Sequence, residues 1–222
     1  MSGKVIVIEG LDGSGKATQA KKLYDSIKEM GKKVISFSFP NYDDDSSALV
    51  RMYLNGEMAD NAEDVNCYAA SSFYSVDRYA SYMKYLKKDY EDGAVIVLDR
   101  YTTSNAVHQA SKLPREDWDS FLEWLEDFEY VKLGLPKPDA VIYLDMSPET
   151  SQKLLSSRYH GDETKKDIHE KNVDYMNSCR VAALYVADKL GWSIVKCDRN
   201  GEPLSIDEIA QQVKALAFEC IK

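Results

Sequence analysis

Long apolar runs are missing from this sequence of 222 residues. The first run, residues 5–8, is too short for a signal peptide or a membrane span, and no later run approaches that length. We therefore expect a cytoplasmic protein with no membrane partner. Cysteines are few and far apart, with no CxxC pair, which argues against a zinc site and indicates reduced, mostly buried thiols. The cysteines are Cys67, Cys179, Cys197 and Cys220.

Positive charge is also in short supply. The 28 lysines and arginines face 37 aspartates and glutamates, which gives a formal net charge of −9. A surface of this sign does not attract polyanions such as duplex DNA, so nucleic acid is not an expected partner. Phosphate chemistry would therefore depend on a few well-placed cations. His108, His160 and His169 do not have the spacing of metal ligands, and we expect polar contacts or surface positions for them.

The length favours a single domain over residues 1–222, because a chain of this size can bury one sizeable core. Short apolar runs alternate with segments of helical periodicity, and no repeat or domain linker interrupts the alternation. This pattern predicts an α/β fold in which a five-stranded parallel sheet is covered by helices on both faces. The predicted strands lie near residues 5–8, 32–39, 94–98, 140–144 and 193–197.

The most informative stretch is residues 4–19, KVIVIEGLDGSGKATQ. A buried strand leads into a glycine-rich turn and then Lys16, after which apolar residues recur at helical spacing. Glycines allow a tight turn with inward-pointing N–H groups, and the helix N-terminus adds free N–H groups and partial positive charge. We therefore predict a loop that binds nucleotide phosphates, in preference to a plain turn with a solvated lysine. Lys16 would reach the β- and γ-phosphates.

Two residues bear on a metal ion. The usual loop pattern ends in a Ser or Thr whose hydroxyl holds Mg²⁺, but this chain has Ala17, and Thr18 would point elsewhere on the helix. Asp99 directly follows a buried strand and suits a role in holding Mg²⁺ or its waters. The alternative for Asp99 is an ion pair with Arg100. Because the loop and Asp99-Arg100 both follow strand ends, we expect them to face one crevice.

Residues 61–91 have a helical pattern on which Tyr74 and Arg78 share a face. A ring beside a guanidinium can stack on a planar base and contact its carbonyl edge, but a core tyrosine with a surface arginine fits the spacing equally well. After Pro114 another helix is predicted. Its apolar side consists of Trp118, Phe121, Leu122, Leu125 and Phe128.

Two polar stretches are predicted to lie outside the core. The run Asp43–Asp45 reads as a solvated turn. Residues 158–170, RYHGDETKKDIHE, break the apolar periodicity and are predicted to form a mobile flap, or lid. Its cations Arg158, Lys165 and Lys166 are by default exposed. In a phosphoryl-transfer enzyme, however, a cation that closes from a flap would stabilise the transferring group.

In combination these segments resemble the thymidylate kinase family. EGLDGSGKATQ is similar to the family's phosphate loop, FPNY (39–42) to its FP-x-[RY] turn, and FYSVDR (73–78) to its base-reading helix. DRYTTSNAVHQ (99–109) is similar to its DR-x-x-x-S signature, and DIHE (167–170) to the end of its lid. The ordered set, spanning nearly the whole chain, is far more specific than the loop alone. It implies a P-loop NTPase fold that transfers the ATP γ-phosphate to dTMP, with Mg²⁺, giving ADP and dTDP for dTTP synthesis.

The resemblance also implies site residues. The ATP would be held by Gly10, Leu11, Asp12, Gly13, Ser14, Gly15, Lys16, Ala17, Thr18 and Arg158. The dTMP would be bound by Pro40, Tyr42, Tyr74, Arg78, Arg100, Ser104, Asn105 and Gln109. Within this set, Tyr74 would stack on thymine, Arg78 would contact its exocyclic oxygen, and Arg100 would bind the 5′-phosphate. Lys16, Asp12, Arg100 and Arg158 would act in catalysis, and Asp99 would hold Mg²⁺.

The chain departs from the family pattern in three further places, one of which is the pair Asn41 and Tyr42. Asn41 and Tyr42 stand where many members have an arginine, and His108 stands where a tyrosine commonly guards against a ribose 2′-hydroxyl. Gly13 occupies the position of a loop arginine in one subgroup, so a lid cation would have to compensate. The family usually forms homodimers, so a homodimer is expected here. Two alternatives stay open: a P-loop kinase for another deoxynucleotide or deoxynucleoside, and a nucleotide-binding paralogue without catalysis.

Overall fold

The computed structural model describes residues 2–158 and 173–221. Five parallel strands form its central sheet, in the order β2-β3-β1-β4-β5. The first strand of the chain therefore lies in the middle, and the predicted five-stranded parallel sheet of an α/β fold is confirmed. The strands are β1 (Lys4–Gly10), β2 (Val34–Ser38), β3 (Val95–Asp99), β4 (Ala140–Asp145) and β5 (Ser193–Lys196).

Helices cover both faces of the sheet. A short antiparallel hairpin, β6 (Asp198–Arg199) and β7 (Glu202–Pro203), precedes the last helix. No helix in the described ranges is long and apolar enough to cross a membrane. The helices are α1 (Lys16–Glu29), α2 (Ala48–Leu54), α3 (Cys67–Ser81), α4 (Lys87–Glu91), α5 (Thr102–His108), α6 (Trp118–Glu126), α7 (Pro148–Arg158), α8 (Val173–Leu190) and α9 (Ile206–Cys220).

The alternating side chains of β1 supply the core on both faces. Ile6 and Ile8 pack in the cluster that contains Leu23 and Ile27 of α1. Val5 and Val7 alternate with them, face the other side of the sheet and join a second cluster. A strand buried on both faces reads as a continuous apolar run, which is why the sequence revealed β1 clearly. The four cysteines are free, and Cys220 alone among them is more than slightly exposed, as the sequence predicted.

The register of β1 brings the predicted site segments together. Ile8 pairs with Asp99 at the end of β3, and Gly10 pairs with Leu144 near the end of β4. The glycine loop between β1 and α1 therefore lies beside the carboxyl end of β3. As expected from the sequence, the loop and the Asp99-Arg100 pair share one edge of the sheet.

Two helical predictions need correction. The segment 61–91 is not one helix: Asn66 caps α3 by accepting from the N–H groups of Tyr68 and Ala69, and a π-helical turn, Tyr82–Leu86, separates α3 from α4. The apolar side of α6 is as predicted up to Leu125. A second π-helical turn, Asp127–Lys132, then shifts the register, so that Phe128 is half-buried and Glu129 is fully buried.

Candidate active site

The glycine loop forms a cradle that leaves no room for a side chain at Gly10 or Gly13. A Cβ at Gly13, where φ is +80°, would lie 2.7 Å from the carbonyl oxygen of Ser151. A Cβ at Gly10 would lie 2.5 Å from Ser14 Oγ, a buried hydroxyl with no hydrogen-bond partner within the described chain. Gly15, at φ +88°, precedes the first residue of α1. The loop therefore has the positive φ angles and the close backbone packing that an anion-binding nest requires.

Lys16 points back over this loop. Its side chain is buried, its Nζ donates to the carbonyl oxygen of Leu11 at 2.9 Å, and Asp12 Oδ1 lies 3.7 Å away. Burial, followed by the charge of Arg100, lowers the pKa of Lys16 against the opposing effect of Asp12 and Asp99. A buried ammonium with so few compensating contacts gains most from an added anion.

The loop lines a broad cleft, which we call the loop cleft. Its inner wall includes residues of the loop and of α1 from Asp12 to Gln19, among them the exposed Ala17 and Thr18. A large part of the remaining lining is apolar. It is formed by Met146, Leu154, Leu155, Pro203, Leu204, Ile206 and Ile209. Charged groups together with this apolar surface suit a ligand with a phosphate chain and an aromatic ring system.

Asp99 lines the loop cleft at the end of β3. Burial raises the pKa of Asp99, and the charges of Lys16 and Arg100 offset only part of that effect. Its carboxylate makes no hydrogen bond or ion pair in residues 2–158 and 173–221, and Arg100 pairs with Asp12 and Glu9 instead. The alternative that the sequence left open, an ion pair between Asp99 and Arg100, is therefore wrong.

Arg100 is held at the centre of the crevice. It is a non-glycine residue with φ 66°, and such left-handed residues cluster at functional sites. Its guanidinium is hydrogen-bonded to Asp12 and lies 3.4 Å from Ser104 Oγ and 3.3 Å from His108 Nε2. Burial disfavours its charge, but the carboxylates of Asp12 and Glu9 outweigh burial and raise the pKa of Arg100. Arg100 is a fixed cation at every accessible pH.

Glu9 supports this arrangement and was not singled out from the sequence. It is buried, and its carboxylate accepts from the N–H of Gly10 at 2.9 Å, from Thr103 Oγ1 at 2.6 Å and from Ser104 Oγ at 2.8 Å. One Oε lies 3.8 Å from Arg100. A charged residue at the end of an otherwise apolar strand was the available signal. Glu9 thus ties the glycine loop to the start of α5.

A second, smaller pocket opens beside the loop cleft, and we call it the inner pocket. All eight residues that the resemblance implied for dTMP line it, and Asp12, Phe39, Pro40, Tyr42 and Arg100 line both cavities. The inner pocket is lined by Asp12, Phe39, Pro40, Tyr42, Leu54, Tyr74, Arg78, Arg100, Tyr101, Ser104, Asn105, His108 and Gln109. Arg100 and Asp12 therefore mark the boundary between the two cavities.

The wall of the inner pocket contains buried polar side chains. The amide of Gln109 is buried, and neither its nitrogen nor its oxygen has a partner in the described chain. Buried amides are normally hydrogen-bonded, so an unpaired one in a pocket wall indicates a polar ligand. Arg78 is also buried and forms an ion pair with Glu129. The other interpretation of the sequence, in which Arg78 lies on the surface, is therefore wrong.

Tyr74 packs against Tyr53, which in turn bonds to a half-buried lysine. Its ring contacts Tyr53 edge-on, with centroids 6.3 Å apart. Lys112 Nζ donates to the hydroxyl of Tyr53 at 2.9 Å and to the carbonyl oxygen of Val65 at 3.2 Å. Burial lowers the pKa of Lys112 to about 8.

Replacement of Lys112 by methionine is expected to change how stability depends on pH. Between pH 8 and 10 the unfolded chain keeps the proton that folded Lys112 releases, so the free energy of unfolding of the wild type should gain about 2 kcal/mol from this group. Lys112→Met should lack that gain. Urea denaturation from pH 7 to 10 measures it, with Lys28→Met as the control, since exposed Lys28 also lies over a tyrosine ring. Parallel curves for wild type and Lys112→Met would contradict the account.

Of three further predictions from the sequence, the structure confirms one and corrects another, and the third lies outside the described residues. His108 is buried and makes polar contacts to Arg100 and Cys179, as expected. Asp44 is more than a solvated turn residue: it accepts from Lys84, Tyr85 and the N–H of Ser46, and these bonds lower its pKa. The predicted lid, 158–170, lies outside the described residues apart from the backbone of Arg158 at the end of α7.

Comparison with known proteins gives one consistent family. Residues 8–206 match the family model described as thymidylate kinase. A thymidylate kinase of Mycobacterium tuberculosis (strain CDC 1551 / Oshkosh) is 31% identical over 185 residues, which cover 82% of this chain and 83% of that protein. One from Danio rerio is 26% identical over 222 residues, covering 98% and 94%. One from Schizosaccharomyces pombe is 32% identical over 169 residues, covering 75% and 73%.

Proposed function

This chain belongs to the thymidylate kinase family of ATP-dependent nucleoside monophosphate kinases, and from that premise we propose that it transfers the γ-phosphate of ATP to dTMP. The products would be ADP and dTDP, for dTTP synthesis. The observation that carries the proposal is the pair of cavities that meet at Arg100 and Asp12. A donor in the loop cleft and an acceptor in the inner pocket would bring their phosphates together at that boundary.

The donor phosphates would lie on the glycine loop. The N–H groups from Gly13 to Thr18 and the ammonium of Lys16 would bind them, since these residues line the loop cleft. Phosphoryl transfer needs little covalent chemistry from the protein, so its contribution is to position the two substrates and to neutralise charge. Because the acceptor is already a phosphate anion, no strong general base is needed.

The acceptor phosphate would bind Arg100. That guanidinium is already paired with Asp12, so an incoming phosphate would share or replace the carboxylate. Asp12 would then contact the sugar 3′-hydroxyl of dTMP. At the far end of the inner pocket, Tyr74 would stack on the base and Arg78 would contact its exocyclic oxygen.

The residues present fit a Mg²⁺ ion that depends mainly on the phosphates. Asp99 offers a carboxylate that has no hydrogen bond or ion pair among the residues that the structure describes, whereas Ala17 offers no hydroxyl. In the described ranges, no group of three or more His, Cys, Asp or Glu side chains could hold a metal ion. Asp99 and water would therefore complete the shell, and the bound ion would supply positive charge beside the phosphates. By resemblance, Arg158 of the lid would add a further cation.

A coupled assay of ADP formation tests the function. The acceptors are dTMP, dUMP, dCMP, AMP and thymidine, each with and without Mg²⁺. We expect the highest kcat/KM with dTMP, and activity only when Mg²⁺ is present. A higher kcat/KM with another acceptor would instead indicate a different P-loop kinase, and no ADP formation with any acceptor would indicate a binding protein.

We also propose a cytoplasmic homodimer, in line with the family. The outer face of α3 supports this, because Tyr68, Val76 and Tyr79 are exposed there at 39%, 53% and 41%. Exposed apolar side chains on one helix are typical of an interface between subunits. Light scattering on the purified protein should give twice the mass of one chain.

A further inference from the structure

Glu129 is a buried carboxylate that the reaction itself does not require. It lies in the π-helical turn after α6, and its side chain has no exposed area. A buried carboxylate needs both a counter-charge and hydrogen bonds, and Glu129 has both. Its Oε2 accepts from Arg78 Nε at 2.7 Å, and its Oε1 accepts from Arg78 Nη2. This bidentate ion pair joins α3 to the π-helical turn, and its two residues are 51 positions apart in the sequence.

The same carboxylate determines how the amide of Asn105 is oriented. Asn105 Nδ2 donates to Glu129 Oε1 at 3.1 Å and to the carbonyl oxygen of Ser71 at 3.1 Å. Both acceptors can only accept, since one is an ionised carboxylate and the other a backbone carbonyl. A rotated amide would place oxygen against both of them. The NH₂ group is therefore held away from the inner pocket, and Oδ1 is left as the group that can accept from a ligand.

The guanidinium of Arg78 is fixed in a complementary way. Nε and Nη2 are used by Glu129, and Nη2 also donates to Ser75 Oγ at 3.3 Å. Nη1 has one long contact, 3.4 Å, to the carbonyl oxygen of Tyr101. Of the five N–H groups of an arginine, one on Nη1 therefore has no partner in the described part of the chain. Arg78 and Asn105 both line the inner pocket, which thus offers a donor beside an acceptor.

The two arginines of the inner pocket differ in how their positive charge is compensated. Glu129 neutralises Arg78 within the protein, and neither side chain of this pair is more than 2% exposed. Arg100 instead lies at the boundary with the loop cleft, and its partner Asp12 has a side chain that is 23% exposed. An incoming anion can more easily displace a partly exposed carboxylate than a buried one. The arrangement therefore directs a phosphate to Arg100 and a neutral base edge to Arg78.

We propose that Glu129 is a positioning residue that sets which base the inner pocket accepts. By holding Arg78 as donor and Asn105 as acceptor, it selects a base edge with a carbonyl oxygen next to a ring N–H. Thymine and uracil have that edge. Cytosine has the reverse, an amino group next to an unprotonated ring nitrogen, and would place donor against donor and acceptor against acceptor. The inference rests on the proposed function and adds a source of selectivity to it.

Glu129→Gln tests the proposal, because glutamine keeps the shape but loses the charge and can itself donate. We expect the ratio of kcat/KM for dTMP to that for dCMP to fall by at least about tenfold, mainly through a higher KM for dTMP. The KM for ATP should stay within about twofold of the wild-type value. Glu126→Gln is the matched control: Glu126 ends α6 and pairs with exposed Lys137. It should leave the selectivity unchanged.

Calorimetric titration of dTMP and dCMP separates this inference from the proposed function. If the wild type forms no ADP but binds dTMP in preference to dCMP, and Glu129→Gln loses that preference, the function is wrong and the role of Glu129 stands. If Glu129→Gln does not fold, Glu129→Asp decides, since it keeps the charge but is too short to reach both partners. A wild-type dTMP-to-dCMP preference in the folded glutamine variant, or failing that in the aspartate variant, would overturn the proposal.

Discussion

Lys16→Ala should lower kcat about a thousandfold while raising the KM for ATP only severalfold. The ammonium of Lys16 is buried over the glycine loop, where its contacts are the carbonyl oxygen of Leu11 and, at 3.7 Å, Asp12. Charge on the β- and γ-phosphates shifts during transfer, so this cation stabilises the transition state more than the bound substrate. Steady-state kinetics with saturating dTMP measure both constants.

Lys21→Ala is the control for that variant. Lys21 lies on the same helix, exposed, and pairs with Asp25 one turn further along. Such surface pairs contribute little to stability, so both the fold and kcat should be close to wild type. A near-normal kcat in Lys16→Ala, with binding of ATP intact, would mean that the loop has a role other than the one proposed.

Arg100→Ala is expected to raise the KM for dTMP about a hundredfold and to lower kcat at least tenfold, with the KM for ATP changed by about twofold or less. The charge is fixed, largely shielded from solvent and shared by both cavities, so its loss removes the main contact of the acceptor phosphate. Arg100→Lys should recover only part of the loss, because a lysine lacks the planar fork that matches a phosphate.

Arg115→Ala serves as the control for the Arg100 variants. Arg115 is exposed, and its guanidinium stacks over Trp118 and Tyr185. Its removal should leave both KM values unchanged. Unaltered dTMP kinetics in Arg100→Ala would refute the placement of the acceptor phosphate, whereas a loss of ATP binding would place Arg100 on the donor side.

Local sequence patterns were enough to predict much of this molecule. The strands β1 and β3 are apolar runs because both of their faces are buried, and the loop was recognised from the order of strand, glycines, lysine and helix. The residues that the family resemblance implied for dTMP line one pocket, and Pro40 and Arg100 among them lie close together because parallel strands end at one edge of the sheet. The strands, the loop and their common edge depend on neighbours in sequence or on a general rule of α/β topology, whereas the other dTMP residues came from the resemblance.

Features that depend on distant partners were missed. Glu9 bonds to Ser104, 95 residues away, and Arg100 pairs with Asp12, 88 residues away. Glu129 stands at a position where helical periodicity from Leu122 and Leu125 calls for an apolar residue, yet nothing local shows that Arg78 compensates it. A carboxylate at an apolar position was the signal, and it identifies a buried pair only after the partner is known.

A crystal structure with dTMP, Mg²⁺ and a non-hydrolysable ATP analogue tests the central claim most directly. The account predicts the dTMP phosphate on Arg100, the thymine between Tyr74 and Arg78, and the triphosphate on the glycine loop under Lys16. The γ-phosphate and the acceptor phosphate should meet beside Asp12. A thymidine monophosphate bound away from Arg78 and Arg100, or phosphates held apart in separate cavities, would contradict it.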